Sequence, residues 1–274
     1  MDVTGAIRIA RLSDVGLHRE HNEDAVASDL TIGLLILADG MGGYKAGEIA
    51  SEIAVLMVTT DIAEAMQGMS VRSRPKSLHL PVSEMLIEAV EKANSAIYQI
   101  SQNLPKCQGM GTTLVAGLFA NNKLVTGHIG DSRMYRLRDE ALTQLTVDHS
   151  LVQEQVDAGE LTEAQAKESD HKNLVTRALG IDPNVELELH VHEVLVNDAY
   201  LLCSDGLTDM VTDDEIRIML VEAGTNIERA ANNLVRFANE KGGKDNISVV
   251  IAYVKKEFSS KRLWVEKLLG KTKK

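Results

Sequence analysis

Aromatic side chains are nearly missing from this sequence: three Phe, five Tyr and one Trp make up 3% of 274 residues. That scarcity removes the stacking platforms on which single-stranded nucleic acid is held. It also obliges any core to be aliphatic, with Met as filler. Cysteine is rarer still. Cys107 stands in a polar stretch that reads as a loop, and Cys203 stands in an apolar run that reads as a buried strand. Two cysteines without a disulfide framework point to a reducing compartment, and a cytoplasmic location is expected. Residues 1–14 lack the apolar centre of a signal peptide. No apolar run approaches the ~20 residues that a membrane helix needs. Positive charge is also short: the net charge is −11, which argues against nucleic acid as a partner.

What is present is an ordinary globular composition, 44% apolar and 25% charged, enough for one large α/β domain or two small ones. The charge is unevenly spread. Residues 255–274 hold eight Lys and Arg against two Glu, a net +6, which leaves −17 on the other 254 residues. We therefore divide the chain into one domain, residues 1–254, and a basic tail, 255–274. Phe258, Leu263, Trp264, Val265, Leu268 and Leu269 are interleaved with the tail's basic residues. That pattern suits an amphipathic helix that docks on the body or meets an acidic partner or an anionic membrane surface.

Hydrophobic spacing yields the element order. Residues 7–16 alternate loosely, as a strand does. Residues 31–38 form a nearly continuous apolar run, the mark of a strand buried on both faces, and end in what reads as a turn, Asp39-Gly40-Met41-Gly42-Gly43. Helical spacing covers 46–65 and 82–102, separated by a surface loop at 66–81 with two Pro and one Gly. Strands at 112–119 and 123–129 flank Ala120-Asn121-Asn122, a hairpin signal. Further strands are expected at 134–138, 142–145, 186–194, 199–203 and 247–254. Helices are expected at 150–158, 213–222 and 226–240, and a polar, mobile stretch at 160–170. Helices are not interleaved one by one with strands, so the fold class is α+β with mainly antiparallel sheets.

The chemistry lies in where the acids fall. Asn22-Glu23-Asp24, Asp39-Gly40, Gly130-Asp131-Ser132-Arg133, Ser204-Asp205-Gly206 and Asp245-Asn246 each sit at a strand or turn end. Each alone reads as a turn or cap. Together they can converge, and carboxylates from separate elements make a hard-cation site. Two carboxylates ~4 Å apart repel by about 4 kcal/mol at an effective dielectric of 20, so such a cluster needs cations. Oxygen donors favour Mg²⁺ or Mn²⁺, and no Cys/His spacing suggests zinc. Phosphate ester hydrolysis is the reaction that most needs this neutralisation.

Those segments carry a resemblance. Residues 16–24, Gly-Leu-His-Arg-Glu-His-Asn-Glu-Asp, resemble the first motif of the bacterial branch of the metal-dependent (PPM, type 2C) Ser/Thr protein phosphatases. Asp39 to Gly43 resembles the second. Gly109-Met110-Gly111-Thr112-Thr113, Gly130 to Arg133, Ser204 to Leu207 and Asp245-Asn246 follow in order. The resemblance implies a four-layer αββα sandwich and hydrolysis of phosphoSer and phosphoThr by a water or hydroxide held between two divalent ions, Mn²⁺ or Mg²⁺. It implies that Asp39 bridges both ions, that the Gly40 carbonyl ligates one, and that Asp205 and Asp245 complete the other. Asp131, with Asp209, would hold a weaker third ion; Asp24 and Glu23 would act through waters; Arg19 would clamp the substrate phosphate. The partners implied are phosphorylated proteins and a bacterial Ser/Thr kinase system. Two departures stand out: Met41 occupies the place where some relatives carry a His, and His171-Lys172-Asn173 is a degraded match in the flap, residues 146–180. The histidines at 18, 21, 149 and 171 read as surface or flap residues rather than ligands. The competing readings are a non-catalytic binding module of the same fold and an unrelated divalent-metal hydrolase of small phosphate esters.

Overall fold

The apolar run at 34–38 forms the inner part of strand β3, and its alternation explains the architecture. In the computed structural model, which describes residues 3–43, 45–71 and 79–258, Leu34, Ile36 and Ala38 point to one core, and Leu35 and Leu37 point to another. A strand buried on both faces has no polar side. Successive elements build layers on either side of it.

The chain begins with β1 (Ile7–Asp14), β2 (Asp24–Asp29) and β3 (Leu34–Met41). Two long helices follow, α1 (Ala46–Val71) and α2 (His79–Asn103), then β4 (Gly111–Thr112), β5 (Leu114–Ala120) and β6 (Lys123–Ile129). The β5–β6 loop is two residues, Asn121 and Asn122, at φ of 50° and 57°. That left-handed pair is what a tight hairpin twist demands and what Asn tolerates. Next come β7 (Arg133–Arg138), β8 (Ala141–Gln144), α3 (Leu151–Asp157), α4 (Glu163–Lys167), β9 (Glu188–Glu193), β10 (Ala199–Cys203), α5 (Asp205–Thr208), α6 (Asp213–Ala223), α7 (Ile227–Glu240) and β11 (Ile247–Val254).

Two antiparallel sheets result. One runs β1-β11-β10-β7-β8; the other runs β2-β3-β5-β6-β9, with β4 pairing β3. They face each other through Leu35, Leu37, Val115, Phe119, Met134, Tyr200, Leu202, Val250 and Ala252. Outside the second sheet lie α1 and α2, where Ala50, Ala54 and Val58 allow close approach. Outside the first lie α6 and α7. The latter buries Ile227, Ala230, Ala231, Leu234, Val235 and Ala238, the three-and-four spacing of a helix stripe. The four-layer αββα sandwich is thus present. Among the described residues, no helix is long and apolar enough to cross a membrane.

Several local expectations give way. The expected turn at Asp39 is strand as far as Met41, because Asp39 pairs with Asp24 and Gly40 and Met41 pair with Thr112 and Gly111. The loop expected at 66–81 is shorter: helix α1 runs on through Val71 and α2 starts at His79, leaving 72–78 outside the described residues. The stretch at 160–170 holds α4, nucleated by a capping box in which Thr162 and Gln165 satisfy each other's backbone N–H groups. Cys107 lies in a 3-10 turn, Pro105–Cys107, and is buried. Most of the basic tail, 259–274, falls outside the described residues.

Candidate metal centre

Strand pairing brings the acids together. The register of β2 on β3 sets Asp24 opposite Asp39. On the facing sheet, β10 and β11 are neighbours, so Asp205, just after β10, and Asp245, just before β11, emerge side by side. Asp131 follows the end of β6. Gly130 precedes it at φ +101°, and a Cβ there would press into Thr113 at 2.6–2.7 Å. The two sheets are stitched beneath the cluster: Ser204 donates from Oγ to Asp24 Oδ2 at 2.8 Å and accepts from the Ser248 N–H at 3.0 Å. The Asp39 N–H donates to Thr113 Oγ1 at 3.0 Å, and that hydroxyl meets Ser132 Oγ at 2.8 Å.

Gly40 is required here by packing. Its N–H donates to the Glu23 carbonyl at 3.0 Å. A Cβ would overlap the Gly47 carbonyl and stand 2.7 Å from the Glu23 oxygen. The resemblance implied close approach to an ion, and the structure adds the close approach of α1.

Asn246 anchors the segment that carries Arg19. Its Nδ2 donates to the Val15 and His21 carbonyls, both at 2.9 Å, and its Oδ1 accepts from the Glu23 N–H at 2.7 Å. Leu17 adds an N–H bond to the Gly243 carbonyl at 2.7 Å. So held, Arg19 points its Nη2 at Asp245 Oδ2, 2.6 Å away. Although partial burial opposes its charge, this bond and the nearby Glu23 and Asp39 raise the Arg19 pKa.

The electrostatics describe a site short of positive charge. Burial, then the charges of Asp24, Asp205, Asp131 and Asp245, push Asp39 well above the carboxylate range. Asp205 is pushed up likewise by burial, Asp131, Asp245 and Asp209. Asp24 and Asp131 are each raised to about 6, burial again being the largest cause. Burial also raises Glu23, with Arg19 working against it. Asp24 Oδ1 is buried and has no hydrogen-bond partner. A cluster of hard oxygens with an unspent lone pair and carboxyls held back from ionising fits divalent Mg²⁺ or Mn²⁺. The acidic oxygens do not close tightly by themselves. Among the described residues, the trio of ligand atoms within 4.8 Å of one another is His128, His149 and Glu188.

Asp209 lies at the end of α5, where Lys172 Nζ pairs with its Oδ2 at 2.8 Å and Asn173 Nδ2 lies 3.4 Å from the same oxygen. Asp131, Asp205, Asp209, Asp148 and Lys172 line one cavity of about 460 Å³ under the flap.

The supporting residues were not foreseen from sequence. Arg133 grips Asp148 through both Nε and Nη2 at 2.6–3.0 Å and donates to Tyr135 Oη, which donates on to Asp213. His149, expected as a surface or flap residue, lies in the flap segment and is buried. Its Nδ1 accepts from the Gly130 N–H at 3.2 Å, so its Nε2 carries the proton and donates to Glu188 Oε2 at 3.1 Å. His128 stacks on it at 4.7 Å and bonds the Val147 carbonyl. With the His149 Nδ1 lone pair taken by Gly130, this trio is a hydrogen-bonded prop for the backbone before Asp131 rather than an ion cage.

Comparison with known proteins agrees with this geometry. The profile of the family described as "Protein phosphatase 2C" matches residues 18–246. The chain is 41% identical over 254 residues to the serine/threonine protein phosphatase PstP of Mycobacterium tuberculosis, covering 92% of this chain but 46% of PstP, so it spans about half that relative's length. It is 36% identical over 242 residues to the serine/threonine phosphatase stp of Listeria monocytogenes, covering 87% of this chain and 92% of that protein. The crystal structure of the catalytic domain of PstP in complex with two manganese ions superposes with a TM-score of 0.77 at 41% identity, covering 91% of this chain and 99% of that one. A matched profile that begins one residue before Arg19 and ends on Asn246, over a sandwich whose acids meet at one end, places this chain in the protein phosphatase 2C family.

Proposed function

We propose that this chain is a Ser/Thr phosphoprotein phosphatase that works with two divalent ions, Mn²⁺ or Mg²⁺, held by Asp39, the Gly40 carbonyl, Asp205 and Asp245, and that Asp131 and Asp209 serve a weaker third. The observation that carries this reading is the convergence of Asp24, Asp39, Asp131, Asp205 and Asp245, each from a different element, beside one guanidinium. The ions, when bound, supply Lewis-acid charge to the phosphoryl oxygens and make hydroxide accessible near neutral pH.

The chain's own residues do the rest. Arg19, on a segment tied down by Asn246, offers a planar pair of donors to the substrate phosphate. Asp245 aims that guanidinium. Ser204 holds the Asp24 carboxylate and Thr113 holds the backbone that carries Asp39, so little reorganisation is needed when charge develops in phosphoryl transfer. Met41 has no titratable group, so protonation of the leaving alkoxide falls to groups other than the residue after Asp39-Gly40. Glu23, raised by burial, stands beside Arg19 as a carboxyl able to hold a proton.

The substrates we infer are phosphoSer and phosphoThr proteins, and the role is to reverse a bacterial Ser/Thr kinase system. The printed names of the relatives, serine/threonine protein phosphatases, support the substrate class. Two buried, unpaired cysteines support a reducing, cytoplasmic setting.

The test is Mn²⁺-dependent release of phosphate from an aryl phosphate and from phosphoSer and phosphoThr peptides, with Asp39→Asn and Asp205→Asn as controls. Activity lost in both variants and absent without divalent ions is the expected result. Wild-type turnover of metabolite esters with none of phosphopeptides would overturn the substrate assignment. No turnover with any divalent ion would indicate a binding module.

A further inference from the structure

Strand β9 is an edge of the second sheet, and one of its faces carries groups that the reaction just described leaves unused. Alternation puts Glu188, His190 and His192 on that face, paired with His128, Thr126 and Leu124 of β6. In sequence the run Glu-Leu-His-Val-His carries no zinc signature. It becomes a ligand spacing only on a strand, where positions two apart point the same way. Glu188 divides its two oxygens. Oε2 accepts from His149 Nε2 at 3.1 Å, and Oε1 accepts from His190 Nε2 at 2.9 Å. His192 stands one step further along, its ring centroid 6.2 Å from that of His190.

We propose that Glu188 Oε1, His190 and His192 form a Zn²⁺ site on the edge of β9, sharing no ligand with the acidic centre and differing from it in selectivity. Two imidazoles and one carboxylate are a donor set of Zn²⁺ sites that keep a position for water. Such a set prefers Zn²⁺ to Mn²⁺, whereas the all-oxygen acidic centre suits Mn²⁺ or Mg²⁺. Tetrahedral bonds of about 2.0–2.2 Å set neighbouring ligand atoms roughly 3.3 Å apart. His190 Nε2 and Glu188 Oε1, at 2.9 Å, need open only slightly. The ion takes the place of the proton between them, and His190 then carries its proton on Nδ1.

Neighbouring groups already prepare the ligands. Thr126 Oγ1 donates to the His190 carbonyl at 3.4 Å, so it accepts from His192 Nε2, 3.3 Å away, and His192 keeps its Nδ1 lone pair for an ion. Burial, then His190 and Arg136, lower the His192 pKa, which keeps that ring neutral and able to ligate. Although burial opposes its charge, hydrogen bonds from His190 and His149 hold Glu188 below the usual carboxylate range, so it stays ionised. Arg136, on β7 of the facing sheet, is the cation that opposes an ion here, and its Nε is buried without a hydrogen-bond partner. Arg136 offsets the charge of Glu188. An ion is therefore drawn by nitrogen lone pairs rather than by excess negative charge, which again favours Zn²⁺ over Mn²⁺.

The experiment is calorimetric titration of ZnCl₂ into the full-length protein with MnCl₂ held in saturating excess, so that the acidic centre is filled. Wild type, His190→Ala, His192→Ala and Arg136→Gln are compared. Expected are one Zn²⁺ per chain in the wild type, binding at least tenfold weaker in each His variant, and binding at least threefold tighter in Arg136→Gln, a gain that misfolding does not produce. Zn²⁺ should also raise the Tm of the wild type and leave that of His190→Ala unmoved; His190 is exposed on an edge strand, so its removal spares the core. No Zn²⁺ uptake once Mn²⁺ saturates would overturn the inference. So would a Kd within threefold of the wild-type value in both His variants, which would mark an adventitious ion only. Mn²⁺-dependent turnover is a separate measurement, so either result leaves the phosphatase reading standing.

Discussion

Arg19 Nη2 lies 2.6 Å from Asp245 Oδ2, although 226 positions separate the two residues in the chain. The group proposed to grip substrate phosphate therefore leans on a carboxylate proposed to grip a metal ion. One acid thus serves two cations, and substrate and ion sites are joined by a single side chain.

Removing the guanidinium should act on binding more than on turnover. Arg19→Ala is expected to raise KM for a phosphopeptide about 10- to 100-fold, the range of a charge-assisted hydrogen bond of roughly 1.5–3 kcal/mol, with a smaller fall in kcat. Steady-state kinetics at saturating Mn²⁺ decide it; an unchanged KM would contradict the assigned role.

Asn246 should matter for the same parameter through a different atom set. Asn246→Ala deletes the bonds to Val15, His21 and Glu23 that hold the Arg19 segment. KM is expected to rise severalfold while the Mn²⁺ affinity at Asp39 and Asp205 changes little. A loss of ion binding without a change in KM would show that Asn246 supports the metal ligands instead.

The protonation of the acids predicts how ions and pH interact. Asp24 and Asp131 are raised to about 6 from an ordinary carboxylate value, and Asp39 and Asp205 are raised further. In the absence of ions, the native state therefore binds more protons than the unfolded chain between pH 4 and at least 6. By linkage, these groups favour folding at low pH, and that contribution is lost as pH rises through their folded values. Divalent ions bind the deprotonated forms and restore it. The gain in Tm on adding Mn²⁺ should thus be larger at pH 7.5 than at pH 5.0. The lowered His128 and His192 pKa values act in the opposite direction but equally with and without ions, so the difference between the two conditions isolates the carboxylates. An equal Tm gain at both pH values would refute the assignment.

Stability away from the site should hinge on Asp198, which is 1% exposed and bonded by Arg138 through Nε and Nη2, each at 2.7 Å. Arg138→Met leaves that carboxylate buried with only the Leu195 N–H and Tyr200 hydroxyl. The expected cost is about 3 kcal/mol, or a fall in Tm of roughly 6–12 °C for a chain of this size, with kcat/KM unchanged below the transition. Urea denaturation checks the first figure.

Gly40→Ala tests backbone approach. A methyl there would collide with the Gly47 carbonyl and crowd Glu23. Mn²⁺ affinity and Tm should fall together. A variant with native Tm and native ion affinity would show that α1 can yield.

Much of the fold and site could be read in advance because those features are local in sequence. The unbroken apolar run of β3 and the three-and-four spacing of α7 announce their burial, and Asp39, Asp205 and Asp245 sit in short, composition-poor motifs at element ends. Strand β2 escaped notice because Asp-Ala-Val-Ala-Ser-Asp is half-buried throughout and lies at a sheet edge, so its identity comes from pairing with β3. The strand conformation of Asp39 to Met41 is likewise set by partners, Asp24 on one side and Thr112 and Gly111 on the other. The burial of His149 is not legible in the sequence, because nothing nearby shows that Gly130 and Glu188 will enclose it.

The acids that meet at the end of the sandwich are drawn from both of its sheets: Asp24, Asp39 and Asp131 from one, Asp205 and Asp245 from the other. A cation shared between Asp39 and Asp205 would consequently be a rivet through two plates that face each other mainly through apolar packing. Chelation would unpin that end first, and the layers would gain freedom to slide where catalysis most requires them aligned.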